Sequence, residues 1–261
     1  MLQSSLVLAL AGLATFSSAA PTAHKRQGGG KRGLGFKKDL QDKANLFTGA
    51  GKVSWAYDWE ARSTNAPSFN VPGVEFVPML HDDGAMFTGA FPSDAEGAIA
   101  AGAKHILSIN EPDICGENTG GACMDVGRTV TAHKTFIQPL ADKYPDVKIV
   151  SPAYSNSGVD AMKQFLASCD GCRIDAVATH WYGAANTQQF IDHVTNVHNW
   201  AGKPVWVTEF ASWEGDEQFL KDVMGWMDTT DFVERYAYFS VESSMTAGNS
   251  LNNLGNIFAA N

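Results

Sequence analysis

Two glutamates close strand-like apolar stretches in this chain: Glu111 in SINEPD (108–113) and Glu209 in VWVTEFA (205–211). A carboxylate at the tip of a buried apolar strand is costly to desolvate and is tolerated where it has chemistry to do. Two such groups are what cleavage of a glycosidic bond requires, one donating a proton and the other acting as nucleophile or base. Side chains alternate across a strand. Leu107 and Ile109 are therefore expected on the face of Glu111, and Val205 and Val207 on that of Glu209. Trp206, of opposite parity, is expected to point outward.

Large aromatics gather near the same strand ends: Trp55, Tyr57 and Trp59 in VSWAYDW, Trp181 in THWYG, Trp213 after the second glutamate, and Phe239 in ERYAYF. Sugar rings have apolar faces that stack on such side chains, and a pocket combines large apolar walls with a few polar groups. Trp59 and Trp181 are the foremost candidates for sugar contacts, with Trp55, Tyr57 and Phe239 beside them. Met79, Asp58 and Asp113 are candidates for the rim. The histidines His24, His81, His105, His133, His193 and His198 are scattered without metal-ligand spacing, so neither a metal nor a cofactor is expected.

Bringing the two glutamates together needs strands that end on a common face. Strand-like segments fall at 33–37, 53–59, 74–80, 105–110, 148–152, 174–180, 204–209 and 234–240, with helix-like stretches between them, among them 93–103, 125–144, 186–201 and 216–230. Ser93 with Glu96 has the spacing of a capping box. Runs such as IDAVAT and PVWVT suit strands covered on both faces, as in a parallel sheet. Eight alternations read as a single-domain (β/α)8 TIM barrel, whose active site lies at the C-terminal ends of the strands. Glu111 then ends strand four and Glu209 strand seven, facing each other across the mouth. A doubly wound open sheet is the alternative, and it would give the two no reason to meet.

The first 20 residues have a short apolar core and small residues before Ala20, the pattern of a secretory signal too short to span a bilayer. Residues 21–32 are polar and Gly-rich and carry the pairs Lys25-Arg26 and Lys31-Arg32. They are expected to be a propeptide or linker outside the fold, with a catalytic domain over 33–261. The chain has 19 basic against 28 acidic residues, and losing residues 1–32 makes it more acidic still. Such a surface speaks against nucleic-acid or membrane partners and suits a neutral substrate. The four cysteines, in an oxidising secretory route, are expected as disulfides, most simply Cys115–Cys123 and Cys169–Cys172. A monomer secreted outside the cell, where it can associate with the cell wall, is expected.

The strings KRGLGF, VSWAYDW, EFVPML, INEPD, IVSPA, CDGCRIDAVATHWYG, PVWVTEFA and ERYAYF, in this order along the chain, resemble glycoside hydrolase family 128 of the retaining clan A, the fungal "glycosyl hydrolase catalytic core" proteins. The resemblance implies a secreted, retaining and endo-acting β-1,3-glucanase with a β-1,3-glucan polysaccharide or oligosaccharide as partner. It implies Glu111 as acid/base, Glu209 as nucleophile and Asn110 as the group that bonds the sugar 2-hydroxyl. His180 and Tyr182, at the end of strand six, could hydrogen-bond the nucleophile and hold it. The Cys115–Cys123 loop departs from the family pattern and bears on subsite shape. A catalytically weak glucan-binding wall protein on the same scaffold is the alternative; two glutamates in intact strand contexts favour the enzyme.

Overall fold

The computed structural model describes residues 30–61, 69 and 71–260. Eight strands follow one another, with helices between all of them but β2 and β3 among the described residues: β1 Arg32–Gly35, β2 Val53–Tyr57, β3 Glu75–Phe76, β4 His105–Leu107, β5 Lys148–Tyr154, β6 Ala176–Gly183, β7 Val205–Ser212 and β8 Val233–Tyr238. They form one sheet in the order β3-β2-β1-β8-β7-β6-β5-β4, with parallel pairing throughout. A parallel bridge between Met79 and Leu107 joins the two edges, so the sheet closes as the expected barrel. The third strand is far shorter than expected, two residues against the seven of 74–80.

The helices are α1 Ala85–Thr88, α2 Phe91–Ala100, α3 Val126–Ala132, α4 Gln138–Lys143, α5 Val159–Ser168, α6 Thr187–Ala201, α7 Glu217–Thr229 and α8 Asn253–Ala259, with a π turn, His133–Ile137, between α3 and α4. In α6, Phe190, Val194 and Val197 recur at helical spacing and are buried, while Asn186 caps the Gln189 N–H. Asp216 caps α7 in the same way. The expected capping box at Ser93 does not form. With Pro92 in its first turn, α2 starts earlier, at Phe91, and Glu96 pairs with Lys143 instead.

Two apolar layers hold the barrel. Trp55, Tyr57, Val77, Leu107, Val150, Ala178 and Trp206 fill the lumen; Val205, Val207, Phe210 and Ile109 pack outward with helix residues such as Phe190 and Phe219. Gly33 makes room for this filling, because a Cβ there would stand 2.0 Å from the Trp55 indole. On β7 the expected parity is thus overturned at three places: Trp206 points inward, while Val205 and Val207 face the helices, away from Glu209. The cause is a register shift between β6 and β7, where Thr179 pairs with Val207 but His180 with Glu209. The extra residue, Thr208, resets the alternation as a β-bulge does. On the fourth strand regular pairing stops at Leu107, and Ile109 faces outward rather than sharing the face of Glu111.

The expected signal (1–20) and residues 21–29 lie outside the described residues. The rest of the expected linker belongs to the fold. Arg32 opens β1, is 5% exposed, and donates to Tyr236 Oη (3.0 Å), the Phe258 and Ala260 carbonyls (2.9 and 2.5 Å) and Asp228 (2.8 Å). Lys31 donates to the carbonyls of Met227 and Thr230. The folded domain therefore includes both residues of that dibasic pair.

Candidate active site

A cleft of about 670 Å³ opens at the C-terminal ends of the strands, and both Glu111 and Glu209 line it. Both are buried, at 8% and 4% exposure. Glu209 sits within β7 just past the bulge. Its Oε1 accepts the Trp59 indole N–H at 2.7 Å and its Oε2 the Tyr182 hydroxyl at 2.5 Å. Glu111 follows β4 with φ of 41°, and Trp59 follows β2 with φ of 61°. Left-handed backbone costs such residues of order 1–3 kcal/mol and gathers at functional sites. The Glu111 N–H donates to the Ala153 carbonyl of β5 at 2.8 Å, which ties this turn to the neighbouring strand.

His180 stands between the two carboxylates. Its Nδ1 lies 2.8 Å from Glu111 Oε1, its Nε2 2.9 Å from the Thr208 hydroxyl and 3.6 Å from Glu209 Oε1. One oxygen or nitrogen from each of Glu111, His180 and Glu209 falls within 4.8 Å of the others. Among the described residues this trio is also a compact group of potential metal ligands, although both Glu209 oxygens are already occupied by donors. Burial opposes a charged imidazole, but the Glu209 charge and the bond to Glu111 outweigh it, so the His180 pKa is raised. Burial, then the Glu209 charge, pushes the Tyr182 phenol far above its ordinary range and keeps it a donor.

Asn110 donates through Nδ2 to the Gly120 carbonyl at 3.0 Å. Its Oδ1 is buried and finds no partner among the described residues, in a residue that lines the cleft. Phe239 packs edge-on against both Trp59 and Tyr182, at 5.8 and 5.7 Å between ring centres, and the three make one aromatic wall. The Phe239–Ser240 peptide is cis. Asp58, expected on the rim, lines the cleft but is buried, at 4% exposure. Asp113 stands behind the rim, its carboxylate accepting the Ser155 N–H at 3.1 Å and the Ser155 hydroxyl at 2.5 Å.

Three predicted aromatics do not line the cleft. Trp55 is wholly buried in the lumen, its indole donating to the Lys31 carbonyl. Tyr57 lies beneath the site and donates to the Thr208 carbonyl at 2.8 Å. Trp181 faces the helices, stacked on Phe219 at 5.3 Å and against Phe190, because it alternates with His180 and Tyr182. Met79 is likewise in the lumen. The sequence reading missed Thr208, the partner of His180, and the polar wall Ser155–Ser157, in which Asn156 Oδ1 accepts the Tyr182 N–H. These residues follow β5 in a turn and carry no strand-end signal.

Residues 33–258 match the family described as glycosyl hydrolase catalytic core. The alkali-sensitive linkage protein 1 of Schizosaccharomyces pombe is 30% identical over 238 residues, 86% of this chain but 41% of that protein, so the chain spans less than half of this relative. A curdlan-specific exo-β-1,3-glucanase of glycoside hydrolase family 128 (subgroup III) from Blastomyces gilchristii, solved with glucose, is 36% identical with a TM-score of 0.76, covering 89% of this chain and 98% of that one. A subgroup II endo-β-1,3-glucanase from Sorangium cellulosum is 25% identical with a TM-score of 0.73, covering 88% and 97%.

Proposed function

The chain belongs to glycoside hydrolase family 128, the glycosyl hydrolase catalytic core proteins, and on that premise we propose that it cleaves β-1,3-glucan by double displacement. The observation that carries the mechanism is the approach of Glu111 and Glu209 oxygens to within 4.8 Å. Retaining enzymes hold their carboxyls about 5–5.5 Å apart, whereas inverting enzymes need about 6.5–9.5 Å to admit a water. Glu209 attacks the anomeric carbon as the bond to the leaving oxygen breaks, and Glu111 gives that oxygen its proton. Glu111 then takes a proton from water, which releases the sugar from Glu209 with its configuration retained.

Each neighbour has a part in this reading. The Trp59 N–H and Tyr182 O–H aim the Glu209 carboxylate. His180 donates through Nδ1 to Glu111 Oε1, which leaves Oε2 to carry the transferred proton. The free Asn110 Oδ1 accepts the sugar 2-hydroxyl, a contact that strengthens as the ring becomes oxocarbenium-like. Trp59 and Phe239 supply apolar faces for the sugar. Endo cleavage is the proposed mode; the two glucanase relatives above differ on this, one exo and one endo. Two disulfides and the N-terminal apolar run support a secreted protein that works at a cell wall.

Product analysis on laminarin and on short β-1,3-gluco-oligosaccharides tests the proposal. A ladder of oligomers supports endo action, and a single short product corrects the mode to exo. Binding without products would leave a glucan-binding protein. Glu209→Gln should abolish turnover yet keep glucan binding. Glu111→Ala should still consume an activated aryl glycoside, with azide releasing the trapped sugar. Inverted product at early times by NMR would refute Glu209 as nucleophile.

A further inference from the structure

The loop closed by Cys115–Cys123 is stitched onto Glu111, which the proposed mechanism sets at the leaving oxygen, and onto Asn110, which it sets at the sugar 2-hydroxyl. The Ala122 N–H donates to the carbonyls of both Asn110 (2.9 Å) and Glu111 (3.2 Å), and the Ile114 N–H donates to Glu111 (3.1 Å). The Met124 N–H reaches Pro112 at 2.8 Å. The Asn110 side chain is held in turn by the Gly120 carbonyl. The left-handed turn at Glu111 is thus pinned on one side by β5 and on the other by this loop.

The loop has little else to keep it in place. Residues 115–120 are exposed and form neither strand nor helix, and Asn118, Gly120 and Cys123 all have positive φ. Glu209, by contrast, is aimed by Trp59, just after β2, and by Tyr182 of β6. The second disulfide, Cys169–Cys172, joins the end of α5 to the approach to β6, at the opposite end of the barrel.

We propose that the Cys115–Cys123 loop is a positioning element for Asn110 and Glu111, acting through the Gly120 carbonyl and the Ala122 N–H. It rests on the reading of Glu111 as acid/base. Its consequence is selective: loosening the loop impairs protonation of the leaving oxygen more than attack by Glu209. A misplacement of about 1 Å can cost on the order of a hundredfold in rate, and a general acid contributes roughly 10²–10⁴-fold. An aryl glycoside with a dinitrophenyl leaving group needs almost none of that proton transfer.

The test compares kcat/KM, which reports the glycosylation step, on a laminari-oligosaccharide and on the dinitrophenyl glycoside. The proteins are the wild type, Cys115→Ser/Cys123→Ser and Cys169→Ser/Cys172→Ser. Opening the first loop should lower activity on the oligosaccharide about tenfold or more beyond any loss on the aryl glycoside. The Cys169/Cys172 variant should lose equally on both. Parallel losses in the first variant, or none, would overturn the inference. Ala122→Pro keeps the cross-link but deletes the N–H that reaches the Asn110 and Glu111 carbonyls, and it should show the same skew in smaller measure. It decides the matter if the double variant does not fold, equal losses again overturning the inference. A wild type inactive on both substrates would remove the proposed function itself, and this inference with it.

Discussion

Glu75 opens β3 at the closed end of the barrel, far from the cleft, with its side chain 13% exposed. It accepts the Lys104 N–H at 2.7 Å, pairs with His105 Nδ1 at 2.9 Å, and receives Arg235 Nη2 at 2.6 Å. The Arg235 guanidinium in turn lies 4.7 Å over the Trp206 ring. Burial alone would raise the Glu75 pKa, but the His105 bond and the Arg235 charge outweigh it and hold the carboxyl at about 2, against an ordinary 4.5. At about 1.4 kcal/mol per tenfold change in acidity, this is about 3 kcal/mol of stability at neutral pH. A depressed native value means that the contribution is present above pH 4.5 and drains away as the pH falls toward 2. Glu75→Gln should therefore be less stable than the wild type by about 3 kcal/mol or more near neutrality, since Arg235 also loses its anion. The gap should narrow by about 2 kcal/mol between about pH 6 and about pH 3. Urea denaturation of both proteins across that range measures it. A gap that does not change with pH would show that the charge on Glu75 is not what holds the barrel floor.

Arg32→Ala removes a buried cation with four acceptors and should cost about 3 kcal/mol; a loss in urea denaturation below about 1 kcal/mol would contradict its role as a clasp. Tyr182→Phe deletes a charge-assisted bond of roughly 1.5–3 kcal/mol, so kcat/KM should fall roughly ten- to a hundredfold with the fold intact, and unchanged kinetics would refute the aiming of Glu209. The raised pKa of His180 makes its charged form stabilising below its ordinary value of about 6.5, and that contribution fades as pH climbs through the raised native value. The stability difference between wild type and His180→Asn should shrink toward alkaline pH, and a constant difference would contradict the assignment.

That Glu111 and Glu209 would share a cleft was legible because a carboxylate closing an apolar stretch is a local signal, although Glu209 sits within β7 and Glu111 beyond β4; the barrel was legible because eight alternations leave few other closed arrangements. Alternation alone separates Trp181 from His180 and Tyr182 on β6. On β7 the same rule fails for Trp206, since the bulge at Thr208 exists only in the pairing with β6. Trp55 was misplaced by depth rather than by face: it lies on the inner side, but below the cleft, in space left by Gly33. Lys31-Arg32 reads as part of a propeptide or linker because a dibasic pair looks the same folded or free. Its partners Asp228, Tyr236 and Phe258 come from the other end of the chain, where no local pattern could announce them.

That clasp also fixes the direction from which the molecule can be held. Arg32 begins β1 and bonds the carbonyls of Phe258 and Ala260, so both ends of the described chain leave the barrel side by side on the face opposite the cleft. A tether attached at either end grips the enzyme by its back. The barrel can then be carried at the tip of a stalk, or set between two segments of a longer polypeptide, with its cleft turned toward whatever lies in front of it.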